Sequence, residues 1–420
     1  MLDIKFIREN KELIAEAARK KHIAFKVDEL ITADDERRAV LKIVEDKRAE
    51  QNRKSEQITR AHDDNKRQAF VEEMRALKVG LQEEEERLKK TTQKWQSLML
   101  LVPNVPDISV PEGVGEEDNK EMRTWGEKPE FTFEPKSHIE LMKALDMADF
   151  ERGAAVSGFR GYFLKNDGAL LSLALWRLCM DFFTKKDFSP ILAPSLVRRE
   201  SLLGTGYLPQ GEDDLYKTQD GDYLAGTAEV PVMSYFADTI LSEEELPKKI
   251  IAFSPCFRRE AGSHGKDTKG LMRVHEFFKC EQVVLCEASH QASVALHEEI
   301  NRNEEEFMET LGIPYRTVIN CGADLGLGQV KKYDIELWVP SEKRYREISS
   351  ASYFHDFQTR RLNIRYKNKD DKAQFAHSLN CTAAPTPRLL ISILENNQRA
   401  DGSIAVPKVL VPYFGKEEIR

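Results

Sequence analysis

Apolar positions in the first quarter of the chain recur at alternating steps of three and four. Phe70, Met74, Leu77, Leu81, Leu88, Trp95, Leu98 and Val102 keep that rhythm, with Glu84 and Thr91 in the two skipped places. That is a heptad seam, the pattern of a helix that lies along a second helix. A weaker seam runs upstream through Leu30, Leu41, Val44 and Ile58, interrupted by Arg48, Gln51 and Ser55. Between them the polar run from Ala61 to Lys66 reads as a turn. The first proline is Pro103 and the only earlier glycine is Gly80, so a single glycine is the one helix-weakening residue in the stretch. Two antiparallel helices of about 30 residues each are predicted, an arm roughly 45 Å long at ~1.5 Å per residue. Such a segment suits self-association as readily as another ligand.

Residues 103–135 change character. Pro103, Pro106, Pro111, Gly113 and Gly126 alternate with acidic residues, which predicts a linker or domain entry. Beyond 135 the apolar runs are short. Ile139–Met147 and Leu170–Phe183 are helix candidates, and Ser289–Leu311 is a longer one. Strands are predicted at Pro190–Pro194, Ile250–Ser254, Gln282–Leu285, Tyr333–Val339 and Tyr345–Ile348. In Tyr333–Val339, Ile335, Leu337 and Val339 alternate with Asp334 and Glu336, the period of a half-buried strand. Strands following one another with few crossover helices predict an α+β fold on an antiparallel sheet, flanked by helices, rather than a doubly wound one. The domain reading is thus 1–102 helical, with the arm at about 28–102, then 103–135 as linker, then 136–420 as the α+β domain.

Composition narrows the function. The chain has 420 residues, with 63 Lys+Arg against 71 Asp+Glu and a formal charge of −8, which argues against a generic basic nucleic-acid binder. The arm is close to balanced, yet basic residues cluster at its tip (Arg53, Lys54, Arg60, Lys66 and Arg67), where they could track phosphates or simply face solvent. Six cysteines without a Cys-x-x-Cys pair predict reduced thiols in a cytoplasmic protein and no structural zinc. The N-terminus has no apolar stretch of the signal-peptide kind, and the run Leu170–Trp176 is far short of the ~20 residues that span a bilayer, so no membrane contact is expected. Neither a P-loop nor a strand-linked G-x-G-x-x-G is present.

The densest polar region runs from Cys256 to Glu281: a strand, a Gly-rich charged loop and a second strand. Such a loop can hold Arg258 and Arg273 over a polyphosphate, with Phe277 as a flat face for a base; it can also be an exposed charged hairpin. Here a resemblance enters. The strand, Phe257-Arg-Arg-Glu260, the loop, Arg273 and Phe277 resemble motif 2 of the class II aminoacyl-tRNA synthetases. Phe257-Arg-Arg-Glu-Ala-Gly-Ser263, Gly265-Lys-Asp-Thr-Lys-Gly-Leu271 and Glu281 are closest in pattern to the seryl-tRNA synthetase family, bacterial type. Thr227-Ala-Glu229 resembles its serine loop and Tyr345-Arg-Glu-Ile-Ser-Ser350 its metal and nucleotide strand. Pro194 with Gly204-Thr-Gly-Tyr-Leu-Pro209 resembles motif 1 and its sequel. Arg388, Leu394-Glu-Asn-Asn397 and Val406-Pro407 resemble motif 3 and the C-terminus. The resemblance runs from Met1 to the end of the chain, arm included.

The resemblance implies a class II catalytic domain at 136–420 and a two-step reaction. Serine and ATP form seryl-adenylate, and serine then passes to the 3′-end of tRNA(Ser), and of tRNA(Sec). By residue match, Arg258, Arg388 and Glu347 are catalytic. Arg258, Arg259, Glu260, Arg273, Phe277, Glu347, Ile348, Ser349, Ser350 and Arg388 bind ATP. Thr227, Ala228, Glu229, Arg258, Glu281, Asn380 and Thr382 bind serine. Glu347 and Ser350 hold Mg²⁺. A guanidinium fits where the α-phosphate gains charge, and no general base is needed because the serine carboxylate is already ionised. The arm is implied to grip the long variable arm of the tRNA, across a homodimer, and Arg53, Lys54, Arg60, Lys66 and Arg67 are the expected contacts.

Three departures stand out. Arg259 sits where the family commonly has Ser. Ser350-Ala-Ser-Tyr-Phe-His-Asp356 replaces Ser-Cys-Ser-Asn-Cys-Thr-Asp. Asn380-Cys-Thr-Ala-Ala-Pro385 replaces a Gly-rich run, and Pro385 removes one backbone donor. They bear on rate and selectivity more than on reaction class. A ligase that loads a carrier protein would lack the arm, and a non-catalytic scaffold would have lost the arginines.

Overall fold

Helix α1 (Val27–Arg60) and helix α2 (Asp64–Leu100) form the arm. The computed structural model describes residues 1–60, 63–262, 265 and 267–420; Ala61 and His62 of the expected turn lie outside them, as do Ser263, His264 and Lys266 of the motif 2 loop. The described chain divides into two units, 3–19 with 23–103 and 1–2 with 20–22 and 104–420.

In the first unit, cross-helix contacts run antiparallel: Arg37 lies over the Trp95 ring at 4.4 Å, Lys47 Nζ donates to the Gly80 carbonyl at 2.9 Å, and Lys54 pairs with Glu73. Met74, Leu81 and Thr91 are buried on the expected seam of α2, whereas at its end Met99 is buried and the expected Leu98 is only half-buried. The skipped places are explained. Glu84 faces Lys47 at 3.7 Å, and Thr91 Oγ1 donates back to the Arg87 carbonyl at 3.1 Å. On α1 the seam differs from the expected one. Val40 and Val44 are buried while Leu41 is only half-buried, because Arg37, Lys47, Gln51 and Lys54 occupy the remaining seam positions. A seam written partly in long polar side chains hides its phase from hydrophobicity, since their stems cover the apolar surface. Asp63 caps α2, its side chain accepting from the Asn65 and Lys66 amides. Near the base, buried Asp34 accepts from Arg8 at 2.6 Å and Arg37 at 2.8 Å; burial pushes its carboxyl up, and the two guanidinium groups outweigh that and hold it low.

The second unit is built on an eight-stranded sheet. Its strands are β1 (Lys120–Trp125), β2 (Ser189–Leu192), β3 (Lys248–Phe257), β4 (Glu276–Cys286), β5 (Tyr315–Ile319), β6 (Lys331–Val339), β7 (Arg344–His355) and β8 (His377–Thr386). Their order is β1-β5-β6-β7-β8-β4-β3-β2. Every pairing is antiparallel except β2 with β3, so the antiparallel expectation holds with one parallel pair at the edge. Helices α3 (Asn166–Thr184), α4 (His290–Leu311) and α5 (Arg388–Asn396) bury Leu175, Phe183, Phe307, Met308, Leu389 and Ile393 in one core with the sheet. The expected linker 103–135 contains β1, an edge strand. Prolines and glycines among acidic residues made the segment read as linker, but Lys120, Glu121 and Arg123 are the charges an exposed edge strand carries to refuse further pairing. Short helices Arg199–Thr205, Glu229–Tyr235 and Phe357–Leu362 also interrupt the strand succession where none was expected. They are a turn or two long, below the length at which a helical period shows.

Candidate functional site

Strand alternation decides which side chains meet. On β4, Phe277, Lys279 and Glu281 are two apart and share the sheet face that lines a cavity of about 210 Å³. Asn380 and Thr382 do the same on β8, where Thr382 pairs with Glu281 across the strands. Glu347 and Ser350 are three apart, which in a regular strand would put them on opposite faces. A β-bulge resolves this: Ser349 pairs with Ile335 and Glu347 with Glu336, leaving Ile348 extra, and both Glu347 and Ser350 reach the cavity.

The cavity has a cationic end and a carboxylate end. Arg258, just past β3, donates from Nε to the Gly226 carbonyl at 3.3 Å and sits 5.4 Å from the Phe277 ring centre. Arg388, the first residue of α5, donates to the Met272 carbonyl at 2.8 Å and the Glu347 carbonyl at 3.0 Å. Arg273 pairs with Glu260 and lies 3.6 Å from Asp267, which also accepts from Arg346 at 2.7 Å. Burial pushes the Glu347 carboxyl up, but Arg388, Lys332 and Arg258 together hold it below the ordinary range. Ser350 Oγ donates at 2.7 Å to Asp334, whose carboxyl burial lifts to about 6 against the pull of Lys332. This end offers guanidinium groups for phosphate, one flat ring, and carboxylate and hydroxyl oxygens for a hard cation.

At the other end four polar residues form one network. Lys279 Nζ pairs with Glu281 and lies 3.1 Å from Thr227 Oγ1 and 3.5 Å from Thr382 Oγ1; Thr227 Oγ1 also reaches Glu281 at 3.3 Å. Glu229 accepts from the Tyr207 hydroxyl at 3.0 Å and from Gln358 at 2.6 Å, and burial lifts its carboxyl to about 6. A small solute with an ammonium and a hydroxyl matches this arrangement.

Of the sequence-derived candidates, Arg258, Glu260, Arg273, Phe277, Glu347, Ile348, Ser350 and Arg388 line the cavity, and so do Thr227, Glu229, Glu281, Asn380 and Thr382. Three do not. Arg259 is exposed, Ala228 is fully buried, and Ser349 is buried with its hydroxyl on the Thr382 carbonyl at 2.8 Å. Lys279, Tyr207 and Lys332 line the cavity and were missed. Lys279 was findable, because it lies two residues from both Phe277 and Glu281 on one strand. On the arm, Arg53, Lys66 and Arg67 are exposed, while Lys54 is half-buried against Glu73 and Arg60 lies 3.6 Å from Glu56.

Comparison with known proteins gives two family matches: the seryl-tRNA synthetase N-terminal domain over residues 1–106 and the tRNA synthetase class II core domain (G, H, P, S and T) over 215–397. The chain is 43% identical to the serine–tRNA ligase of Deinococcus radiodurans, covering 100% of this chain and 99% of the relative. It is likewise 43% identical to that of Thermodesulfovibrio yellowstonii, with 100% of each covered. The seryl-tRNA synthetase of Pyrococcus horikoshii complexed with ATP superposes with a TM-score of 0.90 at 39% identity, over 100% of this chain and 99% of that one. The cytoplasmic serine-tRNA ligase of Naegleria fowleri in complex with AMP gives 0.86 at 30% identity, with the same coverage.

Proposed function

The chain belongs to the seryl-tRNA synthetase family of class II aminoacyl-tRNA synthetases, and we propose that serine activation and tRNA charging run through the cavity residues as follows. The observation that carries the assignment of roles is the position of Arg258, which lines the same cavity as the carboxylate network and the phosphate-suited arginines. Adenine stacks on Phe277, with Glu260 accepting from its amino group. Arg258 meets the α-phosphate as the serine carboxylate attacks, and Arg388 and Arg273 meet the departing pyrophosphate. Arg273 exchanges its carboxylate partners for phosphate oxygens in doing so. The hard oxygens of Glu347 and Ser350 fit Mg²⁺, and the ion supplies charge neutralisation on the polyphosphate when bound. Glu229 and Thr227 hold the serine ammonium. Glu281, Thr382 and Asn380 meet its hydroxyl, because the paired ammonium of Lys279 makes Glu281 the poorer of the two carboxylates for a second cation. A ribose hydroxyl of the tRNA then attacks the seryl carbonyl and AMP leaves.

Exposed Arg53, Lys66 and Arg67 are the arm's contacts with the variable arm of tRNA(Ser), and tRNA(Sec) is charged by the same route. Exposed Phe159, Phe163, Leu170, Leu173, Leu192 and Leu196 form the face of a homodimer, which sedimentation velocity reads directly. Among the described residues no helix is long and apolar enough to cross a membrane, and we place the enzyme in the cytoplasm. The test is acylation of a tRNA(Ser) transcript with and without its long variable arm. Charging of the intact transcript alone is expected; equal charging of both would remove the arm's role.

A further inference from the structure

Glu229 is 2% exposed and both its oxygens have protein donors, Tyr207 at 3.0 Å and Gln358 Nε2 at 2.6 Å. Gln358 is not in the cavity. It lies on the helix Phe357–Leu362, 1% exposed, and nothing above gives it a role. Its amide is matched atom by atom. Nε2 faces two acceptors, Glu229 Oε1 and the Thr205 carbonyl at 3.2 Å, while Oε1 accepts from the Ser378 hydroxyl at 2.7 Å. A flipped amide would set its oxygen against the carboxylate and that carbonyl, so the hydroxyl of Ser378 on β8 and the two acceptors select one orientation. The result is a buried line, Ser378 to Gln358 to Glu229, ending at the serine end of the cavity.

Resting on the functional reading above, we propose that Gln358, oriented by Ser378, is a positioning residue that keeps Glu229 turned to the substrate and ionised when the serine ammonium arrives. Around Glu229 stand Tyr207 and Thr227, Lys279 and Glu281 from β4, Arg258 from the end of β3, and Gln358 from its helix. Burial lifts the Glu229 carboxyl, Glu281 adds to the lift, and Gln358, Tyr207 and Lys279 oppose it. An ammonium requires the anion, so serine capture weakens as Glu229 takes up a proton. Removing the Gln358 donor favours the protonated form and moves that loss to higher pH.

The experiment is serine-dependent ATP–pyrophosphate exchange by the full-length chain from pH 5 to 8.5, with kcat/KM measured for serine at saturating ATP and for ATP at saturating serine. Gln358→Met keeps the side-chain length and removes the donor. The acid limb of the serine profile is expected to move up by roughly one pH unit, about a tenfold loss of kcat/KM for serine near pH 5.5. The ATP profile keeps its shape, and any titration of ATP itself is common to both proteins. Ser378→Ala, which frees the amide to flip, is expected to shift the limb in the same direction by less; it carries the test if Gln358→Met fails to fold. Serine profiles that superimpose on the parent's would overturn the proposal. So would a pH-independent fall in rate with equal changes in the KM values for serine and ATP, the mark of a merely structural role. If the parent chain shows no serine-dependent exchange, the functional reading fails instead, before any variant is compared.

Discussion

Arg258 and Lys279 line one cavity, and the proposed mechanism gives the first a part in the reaction and the second a part in recognition. Arg258→Ala removes the guanidinium proposed for the α-phosphate, and the expected loss is about 10²–10³-fold in the rate of exchange, with the melting temperature little changed. Retention of most of the rate would move the phosphate role to Arg388 or Arg273. Lys279→Met leaves Glu281, 2% exposed, without its cation and offers a hydroxyl no defined partner. A site built to pair a hydroxyl discriminates through the groups left unpaired without it. The serine-over-alanine ratio of kcat/KM is therefore expected to fall at least about tenfold, the scale of one buried polar contact. An unchanged ratio would mean that Glu281 is held by Thr227 and Thr382 alone.

At the scale of elements, what was legible depended on how regular each element is. The seam from Phe70 to Leu98 was readable because its apolar residues keep step, whereas the phase of α1 was not, because Arg37, Lys47 and Lys54 cover it with methylene stems. The strands carrying Glu281, Glu347 and Ser350 were readable. The bulge at Ile348 that brings Glu347 and Ser350 to one face was not, since an extra residue has no hydrophobic signature. Most cavity residues were legible through motif resemblance rather than periodicity. Gln358 was not, because its role is made by Ser378 and Glu229, distant in the chain.

Helix α4 carries a prediction of its own. His297 is 1% exposed, stacks on Tyr333 at 4.7 Å between ring centres and lies 2.9 Å from the Ala351 carbonyl. Burial pushes its imidazole down to about 4, the Ala351 carbonyl opposing. The folded state thus keeps it neutral, while in the unfolded chain it protonates below about 6.5. Its contribution is whole above pH 6.5 and is lost as pH falls from there towards 4, where the folded protein also takes up the proton; the full loss is about 3 kcal/mol. Urea unfolding between pH 7.5 and 5 should show this slope, and His297→Gln should flatten it. An equal slope in both proteins would assign the acid sensitivity to other groups.

For the whole molecule, the arm and the catalytic unit are expected to separate functionally. Changing Arg53, Lys66 and Arg67 together to Glu should raise KM for tRNA(Ser), about tenfold or more at low salt and less at high salt, and leave exchange without tRNA untouched. A fall in exchange would show that the arm supports the catalytic unit itself; an unchanged KM would place the RNA contact elsewhere on α1 and α2. The central claim, however, is that one cavity joins a phosphate-binding end to a hydroxyl-reading end. Its most direct measurement is ATP–pyrophosphate exchange without tRNA, with serine, threonine, alanine and glycine assayed in parallel. Exchange with serine, at least about a hundredfold above alanine and glycine in kcat/KM, is the predicted result. Exchange with none of the four in a folded, ATP-binding sample, or equal exchange with serine and alanine, would contradict it.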